Sequence, residues 1–164
     1  MRVFLDANVL NRGTTSPHLP YELLLHAIRG HFTPVVSPLI LLTARYYIRR
    51  TFPQDMRHFE VLLATMPLEV VAEPSALEVA QAAGLVRDAD DVPIALAAIK
   101  AGVDCLVSTD PDLTDQDAST ACLRAQLRVM RVGDFLRLEM GRSSAELAAI
   151  GKRTWRDIAG PRWA

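Results

Sequence analysis

Acidic side chains end two short apolar runs of this 164-residue chain, and a further acidic group precedes an alanine-rich stretch. Asp6 ends the first apolar run, and Asp110 ends another about a hundred residues later. The third group occupies residues 88–91. In a parallel α/β sheet, the carboxyl ends of the strands share one edge, and ligands bind there. Carboxylates gathered at such an edge repel one another unless a cation lies between them.

The chemistry that such acids support is metal-assisted. Carboxylate oxygens are the preferred ligands of hard divalent cations such as Mg²⁺ and Mn²⁺. A bound cation of this kind lowers the pKa of a water ligand and stabilises charge on a phosphodiester. We therefore predict that Asp6, Asp110 and an acid of the 88–91 group gather at a metal site. Each acid alone also has a simpler interpretation, because aspartates commonly form turns and cap helices.

The elements that must position these acids alternate between strands and helices. Short apolar runs predict four or five strands, at residues 3–5, 34–37, 68–72, 105–107 and 127–130. Helical spacing and end signals predict helices at residues 20–29, 38–50, 54–65, 75–83, 91–101 and from 132 onward. Residues 7–19 contain Asn8, Asn11, Gly13, Ser16 and Pro17, which predict a loop. This alternation is typical of βαβ units and a parallel sheet.

Composition limits the class of protein. The chain is long enough for one domain with a core, and half of its residues are hydrophobic. Its net charge of −1 does not by itself indicate a nucleic-acid partner. Without a signal peptide or an apolar run of membrane-spanning length, we expect a cytoplasmic protein with no membrane partner. Cys105 and Cys122 lack a metal-binding spacing, and we expect both to be buried.

The last part of the chain has a different character. Residues 141–164 contain five basic and two acidic side chains, and one weak helix is predicted over residues 144–150. We predict a main domain over residues 1–140 and a C-terminal extension over residues 141–164 that is helical or mobile. The basic side chains are interpreted either as a solvated face or as a partner-binding surface.

Together these segments resemble the PIN domain family, which includes the VapC-type toxins of bacterial toxin–antitoxin pairs. The segments that carry the resemblance, which covers about residues 1–140, are 3–9, 35–38, 88–91, 106–113 and 127–136. The resemblance implies a three-layer α/β/α fold with a central parallel sheet. It also implies Mg²⁺- or Mn²⁺-dependent ribonuclease activity on RNA, a small antitoxin partner and a homodimer.

The resemblance extends to single residues. Asp6, Asp91 and Asp110 match three of the family's acids, which implies that they are catalytic and bind the metal. Asp112 matches an auxiliary acid that would also bind metal. The supporting residues would be Asn8, Thr109, Asp88 and Asp90, and the last two lie close enough to Asp91 to compete with it for the match.

The chain departs from the family at its second acid. The family places a glutamate on the helix after the second strand, and this chain has Thr43 there. A threonine is neutral and offers only a hydroxyl oxygen. Two hypotheses follow: a metal-dependent ribonuclease in which Thr43 supports or weakens the site, or a PIN-like module that binds RNA or protein without efficient catalysis. Glu22 or Glu60 would have to reach in from neighbouring helices to replace the missing acid.

Other classes of protein fit the sequence less well. A phosphatase of the haloacid type needs a second aspartate where Asn8 stands, and a receiver domain needs a lysine near residues 127–132. Neither a dinucleotide-binding glycine motif nor a P-loop is present in the sequence. Residues 21–29 and 38–50 could form an apolar groove for an antitoxin helix, although core packing explains the same pattern; the side chains in question are Tyr21, Tyr46, Tyr47 and Ile48.

Overall fold

A five-stranded parallel sheet forms the centre of the computed structural model, which describes residues 1–158. The strands are β1 (Arg2–Leu5), β2 (Thr33–Val36), β3 (Glu69–Val70), β4 (Cys105–Ser108) and β5 (Val129–Arg131). Their order across the sheet is β3-β2-β1-β4-β5, and each neighbouring pair is parallel. The predicted parallel sheet is therefore confirmed, in its five-stranded form. β1 is the middle strand, between β2 and β4, and its residues Val3–Leu5 are fully buried in the core.

Helices flank this sheet and complete a three-layer α/β/α fold, as predicted. They are α1 (Ala7–Thr15), α2 (Leu19–Ile28), α3 (Pro38–Thr51), α4 (Met56–Thr65), α5 (Ala76–Gln81), α6 (Val92–Lys100), α7 (Pro111–Thr114), α8 (Ala121–Arg124), α9 (Val132–Leu138) and α10 (Ser144–Ile150). Short 3₁₀ turns occupy Pro53–Asp55, Ala89–Asp91, Ala118–Thr120 and Trp155–Asp157. Within residues 1–158, every helix is too short or too polar to cross a membrane.

The loop predicted for residues 7–19 is wrong, because most of that segment is helix α1. Val9 and Leu10 are buried in the core, so the helix is held by packing rather than by its weak intrinsic propensity. Gly13, which we took as a loop marker, lies where α1 meets α2. A Cβ at Gly13 would be 2.5 Å from Leu24 Cδ1 and 3.2 Å from the Pro20 carbonyl oxygen, so the glycine permits close helix packing.

One smaller prediction is also wrong. Cys105 is buried as expected, but Cys122 is exposed, because the one-turn helix α8 buries Leu123 instead. The proposed apolar groove is divided by the packing: Tyr21 is in the core, whereas Tyr46 and Tyr47 on α3 are exposed.

The C-terminal segment is tied to α2 through a buried carboxylate. Glu22 accepts hydrogen bonds from Arg142 at 2.6 Å and from Arg153 at 3.0 Å, and its side chain is only 6% exposed. Burial acts to raise the pKa of the Glu22 carboxyl, but the hydrogen bonds and charges of Arg153 and Arg142 outweigh it, so the pKa is lowered overall. Helix α10 lies between these arginines in sequence. Residues 159–164 of the predicted extension lie outside the described residues, and the boundary at residue 140 stays a prediction.

Candidate metal centre

Asp6 lies at the carboxyl end of β1 and is held by the neighbouring strand. Its backbone N–H donates to the Val107 carbonyl at 3.1 Å, so the pairing of β1 with β4 continues through Asp6. Ser108, the last residue of β4, donates from Oγ to Asp6 Oδ2 at 2.6 Å. The same Oγ accepts a hydrogen bond from the Asp110 N–H at 2.9 Å. Ser108 therefore links the two acid-bearing segments directly.

Asn8 and Asp110 have more local hydrogen bonds. Asn8 Nδ2 donates to Asp6 Oδ2 at 3.4 Å. Asp110 is the N-cap of α7, and its Oδ1 accepts from the Asp112 N–H at 2.9 Å. The capping interpretation of Asp110 therefore holds for one of its oxygens. This hydrogen bond also fixes the direction of the carboxylate.

The structure gives different surroundings to Asp88, Asp90 and Asp91, which the sequence alone could not distinguish. Asp88 caps the 3₁₀ turn by accepting from the Asp90 N–H at 2.9 Å. Asp90 is exposed. Asp91 stands at the N-cap position of α6, yet its side chain makes no capping hydrogen bond. Helix capping therefore does not account for the Asp91 carboxylate.

A group of carboxylate oxygens lies close enough together to bind one cation. Asp88, Asp91 and Asp112 each contribute an oxygen, and these atoms lie within 4.8 Å of one another. Asp91 and Asp112 were predicted ligands, whereas Asp88 was predicted only as a supporting residue. An all-oxygen set of this kind suits Mg²⁺ or Mn²⁺.

Asp6 and Asp110 join this group electrostatically. The pKa of Asp91 is raised from 3.8 to about 7, first by burial and then by the negative charges of Asp110 and Asp6. Burial also raises the pKa of Asp6; the Asp110 charge adds to this, while hydrogen bonds from Ser108, the Ala7 N–H and Asn8 oppose it. The charges of Asp110 and Asp6 thus act on Asp91, and the charge of Asp110 acts on Asp6, although these acids are far apart in sequence. A cation between them would relieve this repulsion.

Sequence analysis missed two residues at this centre. Ser108 lies within the motif at residues 106–113 but has no role assigned from the sequence, and only the register of β1 against β4 reveals that it faces Asp6. Arg87 forms an ion pair with Asp112 and places a positive charge beside the cluster. Because the Arg87 side chain is 60% exposed, it can leave that position without unpacking the core.

The expected second acid has no replacement from the two glutamates that we considered. Thr43 is exposed on α3. Glu60 pairs with Arg45, with Nε to Oε1 at 2.6 Å. Glu22 is committed to Arg142 and Arg153 near the C-terminal segment. Thr109, the other predicted supporting residue, follows Ser108 directly and is half-buried.

Fold and site together define the class: a three-layer α/β protein whose acids gather at the carboxyl edge of a parallel sheet. Comparison with protein families gives a match to the PIN domain over residues 2–112, which is more than half of the chain. The chain therefore belongs to the PIN domain family, as the sequence motifs predicted.

Solved structures show the same fold at low sequence identity. PAE2754 from Pyrobaculum aerophilum superposes with a TM-score of 0.56 and 19% identity, over 87% of this chain and 97% of that one. VapBC2 from Rickettsia felis, bound to a DNA fragment from its promoter, gives a TM-score of 0.54 and 18% identity, over 80% of this chain and 98% of that one. A search of curated proteins returned no significant match.

Proposed function

We propose that this protein is a metal-dependent endoribonuclease. Asp6, Asp91 and Asp110 would be its catalytic residues, and together with Asp112 they would bind Mg²⁺ or Mn²⁺. The observation that carries this proposal is geometric: carboxylate oxygens of Asp91 and Asp112 lie in one cluster, and Ser108 links Asp6 and Asp110 at the same edge of the sheet. Membership of the PIN domain family supports it.

The residues at this edge of the sheet would have separate roles in the reaction. When bound, the cation would activate water and stabilise charge on the phosphodiester. Ser108 would keep Asp6 in place through the 2.6 Å hydrogen bond, and the Asp112 N–H would orient Asp110. The position of Asp88 makes it an additional candidate ligand. Preorganised carboxylates need little rearrangement when the cation arrives.

The biological setting that we propose is a toxin–antitoxin pair. The similarity to the VapBC2 structure supports this setting at the level of the fold. In such a pair, this chain would be the toxin, a small antitoxin would bind it, and RNA would be the substrate. A homodimer and a cytoplasmic location belong to the same proposal.

The direct test is cleavage of single-stranded and hairpin RNA by the purified protein, with Mn²⁺, with Mg²⁺ and with EDTA. We expect endonucleolytic cleavage only when a divalent cation is present. An Asp6→Asn variant prepared identically should be inactive, because it keeps the shape of the side chain but removes the charge. Equal cleavage by both proteins would identify a contaminant, and absence of cleavage by the wild type under all conditions would refute the nuclease proposal.

A second candidate function is a PIN-like module that binds RNA or protein but cleaves poorly. Two observations favour it: Thr43 stands where the family has a glutamate, and Arg87 neutralises Asp112. If this is the function, the purified protein would bind RNA but would not cleave it in the test above.

Thr43→Glu should distinguish a one-ligand defect from a wider loss of the site. If only this acid is missing, the substitution should tighten Mn²⁺ binding about tenfold, which corresponds to about 1.4 kcal/mol. Isothermal titration calorimetry measures this change. Thr51→Glu is the matched control, because it adds the same charge to α3 about 12 Å further along the helix axis. Equal Mn²⁺ affinity in the two variants would contradict a one-ligand defect.

A further inference from the structure

A cavity of about 500 Å³ opens beside the metal centre. Ser108 and Thr109 line it, and these residues also connect Asp6 to Asp110. The remaining walls come from the end of α1, the start of α2, helix α7, the end of β5, the start of α9 and Gly151 of the C-terminal segment. The cavity and the acid cluster therefore share the carboxyl end of β4. A substrate held at the acids would extend naturally into this cavity.

The cavity carries positive charge that is only partly neutralised. Arg131 lines it, but its guanidinium already donates to Asp115 Oδ1 at 2.9 Å. Arg12, at the end of α1, lines it too and is exposed. Within residues 1–158, Arg12 forms no ion pair. Arg12 is therefore available to bind an anion such as a phosphate.

Another part of the cavity wall is apolar, and it is formed by Leu19, Pro20 and Val132. Gly133 leaves this side of the cavity open, because a Cβ there would contact only Leu19 Cδ1, at 3.7 Å. An apolar wall with a few polar groups and one available cation is typical of a small-ligand site. A nucleotide has the matching parts: a planar base with low polarity on its faces and an anionic phosphate.

We infer that this cavity is a nucleotide subsite for single-stranded RNA, adjacent to the scissile phosphate. The base lies against Leu19 and Val132, and Arg12 binds a neighbouring phosphate. The inference rests on the proposed function, because that function places the scissile phosphate at the acids. Single-stranded RNA fits the cavity because its unstacked bases can turn into pockets. An antitoxin side chain is the competing occupant, and binding measurements with RNA and with an antitoxin distinguish these two occupants.

The test is the affinity for a fluorescein-labelled single-stranded RNA of about 12 nucleotides. Fluorescence anisotropy is measured with Mn²⁺ in an Asp6→Asn background, and a gel checks that the RNA stays intact. Arg12→Gln should weaken binding about tenfold and reduce the salt dependence, log Kd against log salt concentration, by about 0.7. Gly133→Leu should weaken binding about tenfold, because the leucine side chain would fill space that the base needs in the cavity.

Two matched controls accompany these variants. Gly133→Ala adds only a Cβ at ordinary contact distance and should weaken binding much less than Gly133→Leu does, because it fills far less of the cavity. Arg57→Gln removes an exposed arginine on α4 that does not line the cavity, and it should also have little effect. Circular dichroism melting verifies that Gly133→Leu folds, and Arg12→Gln provides an independent readout if it does not.

The outcomes separate this inference from the proposed function. If the wild type cleaves RNA but Arg12→Gln and Gly133→Leu keep the parent affinity, the subsite is wrong and the nuclease stands. If the wild type does not cleave but both changes weaken RNA binding, the subsite is supported and the nuclease falls. If both changes weaken only the binding of a co-expressed antitoxin, the cavity is a protein-binding site and the inference is overturned.

Discussion

Asp91→Asn is expected to reduce metal-dependent RNA cleavage by more than about a hundredfold. Substitutions that only support a metal ligand already cost about 10- to 100-fold, so loss of a direct ligand should cost more. Asp91 contributes an oxygen to the acidic cluster and is the residue on which the charges of Asp110 and Asp6 converge. The measurement is the initial rate of cleavage at saturating Mn²⁺.

Asp90→Asn is the matched control for this result. Asp90 is adjacent in sequence, has the same charge and is exposed, but it contributes no oxygen to the cluster. We expect its cleavage rate to remain within about twofold of the wild type, as for a surface substitution that leaves the fold intact. If Asp90→Asn were inactive and Asp91→Asn active, the assignment of the third acid would be wrong. Comparable activity in both variants would remove Asp91 from the mechanism.

The fold was largely predictable because strand periodicity and glycine signals act locally. The short apolar run before Asp6 could only be a buried strand, and Gly102, with a φ of 59°, ends α6 where the sequence indicated. Helix α1 was not predictable in this way. Its asparagines and Gly13 are weak helix formers, and the structure shows that contact with α2 determines its conformation. A helix that depends on tertiary packing in this way is hard to predict from its own segment of the sequence.

The candidate site was predictable as a set of acids but not as a geometry. Strand-end position brought Asp6 and Asp110 to one edge, and this required no knowledge of side-chain contacts. The role of Ser108 depends on the register between β1 and β4, which the sequence does not encode locally. The closeness of Asp88 and Arg87 to Asp112 depends on how the segment before α6 folds back on α7. That arrangement arises from the whole chain.

The second large effect that we expect concerns stability: Asp91→Asn should stabilise the metal-free protein at about pH 8 by about 1–2 kcal/mol. In the folded state the pKa of Asp91 is raised from 3.8 to about 7, first by burial and then by neighbouring carboxylates. Between these two values the folded protein binds a proton that the unfolded chain has lost, so this group makes folding less favourable as pH rises. Because the Asp91 side chain is partly exposed, solvent screening keeps the effect within this range.

Thermal unfolding of the variant and the wild type in EDTA, across the range from about pH 4 to about pH 8, tests this expectation. The difference in melting temperature should be near zero at the acid end, grow as pH rises and level off above about pH 7, at about 3–6 °C. Asparagine is as good as aspartate at a helix N-cap, so the substitution has no capping cost. Mn²⁺ should raise the melting temperature of the wild type at about pH 8 more than that of Asp91→Asn, because only the wild type has the charge to be neutralised. A pH-independent difference between the two proteins would mean that neither burial nor the neighbouring carboxylates raise the pKa of Asp91, and it would count against a cation-binding cluster at this residue.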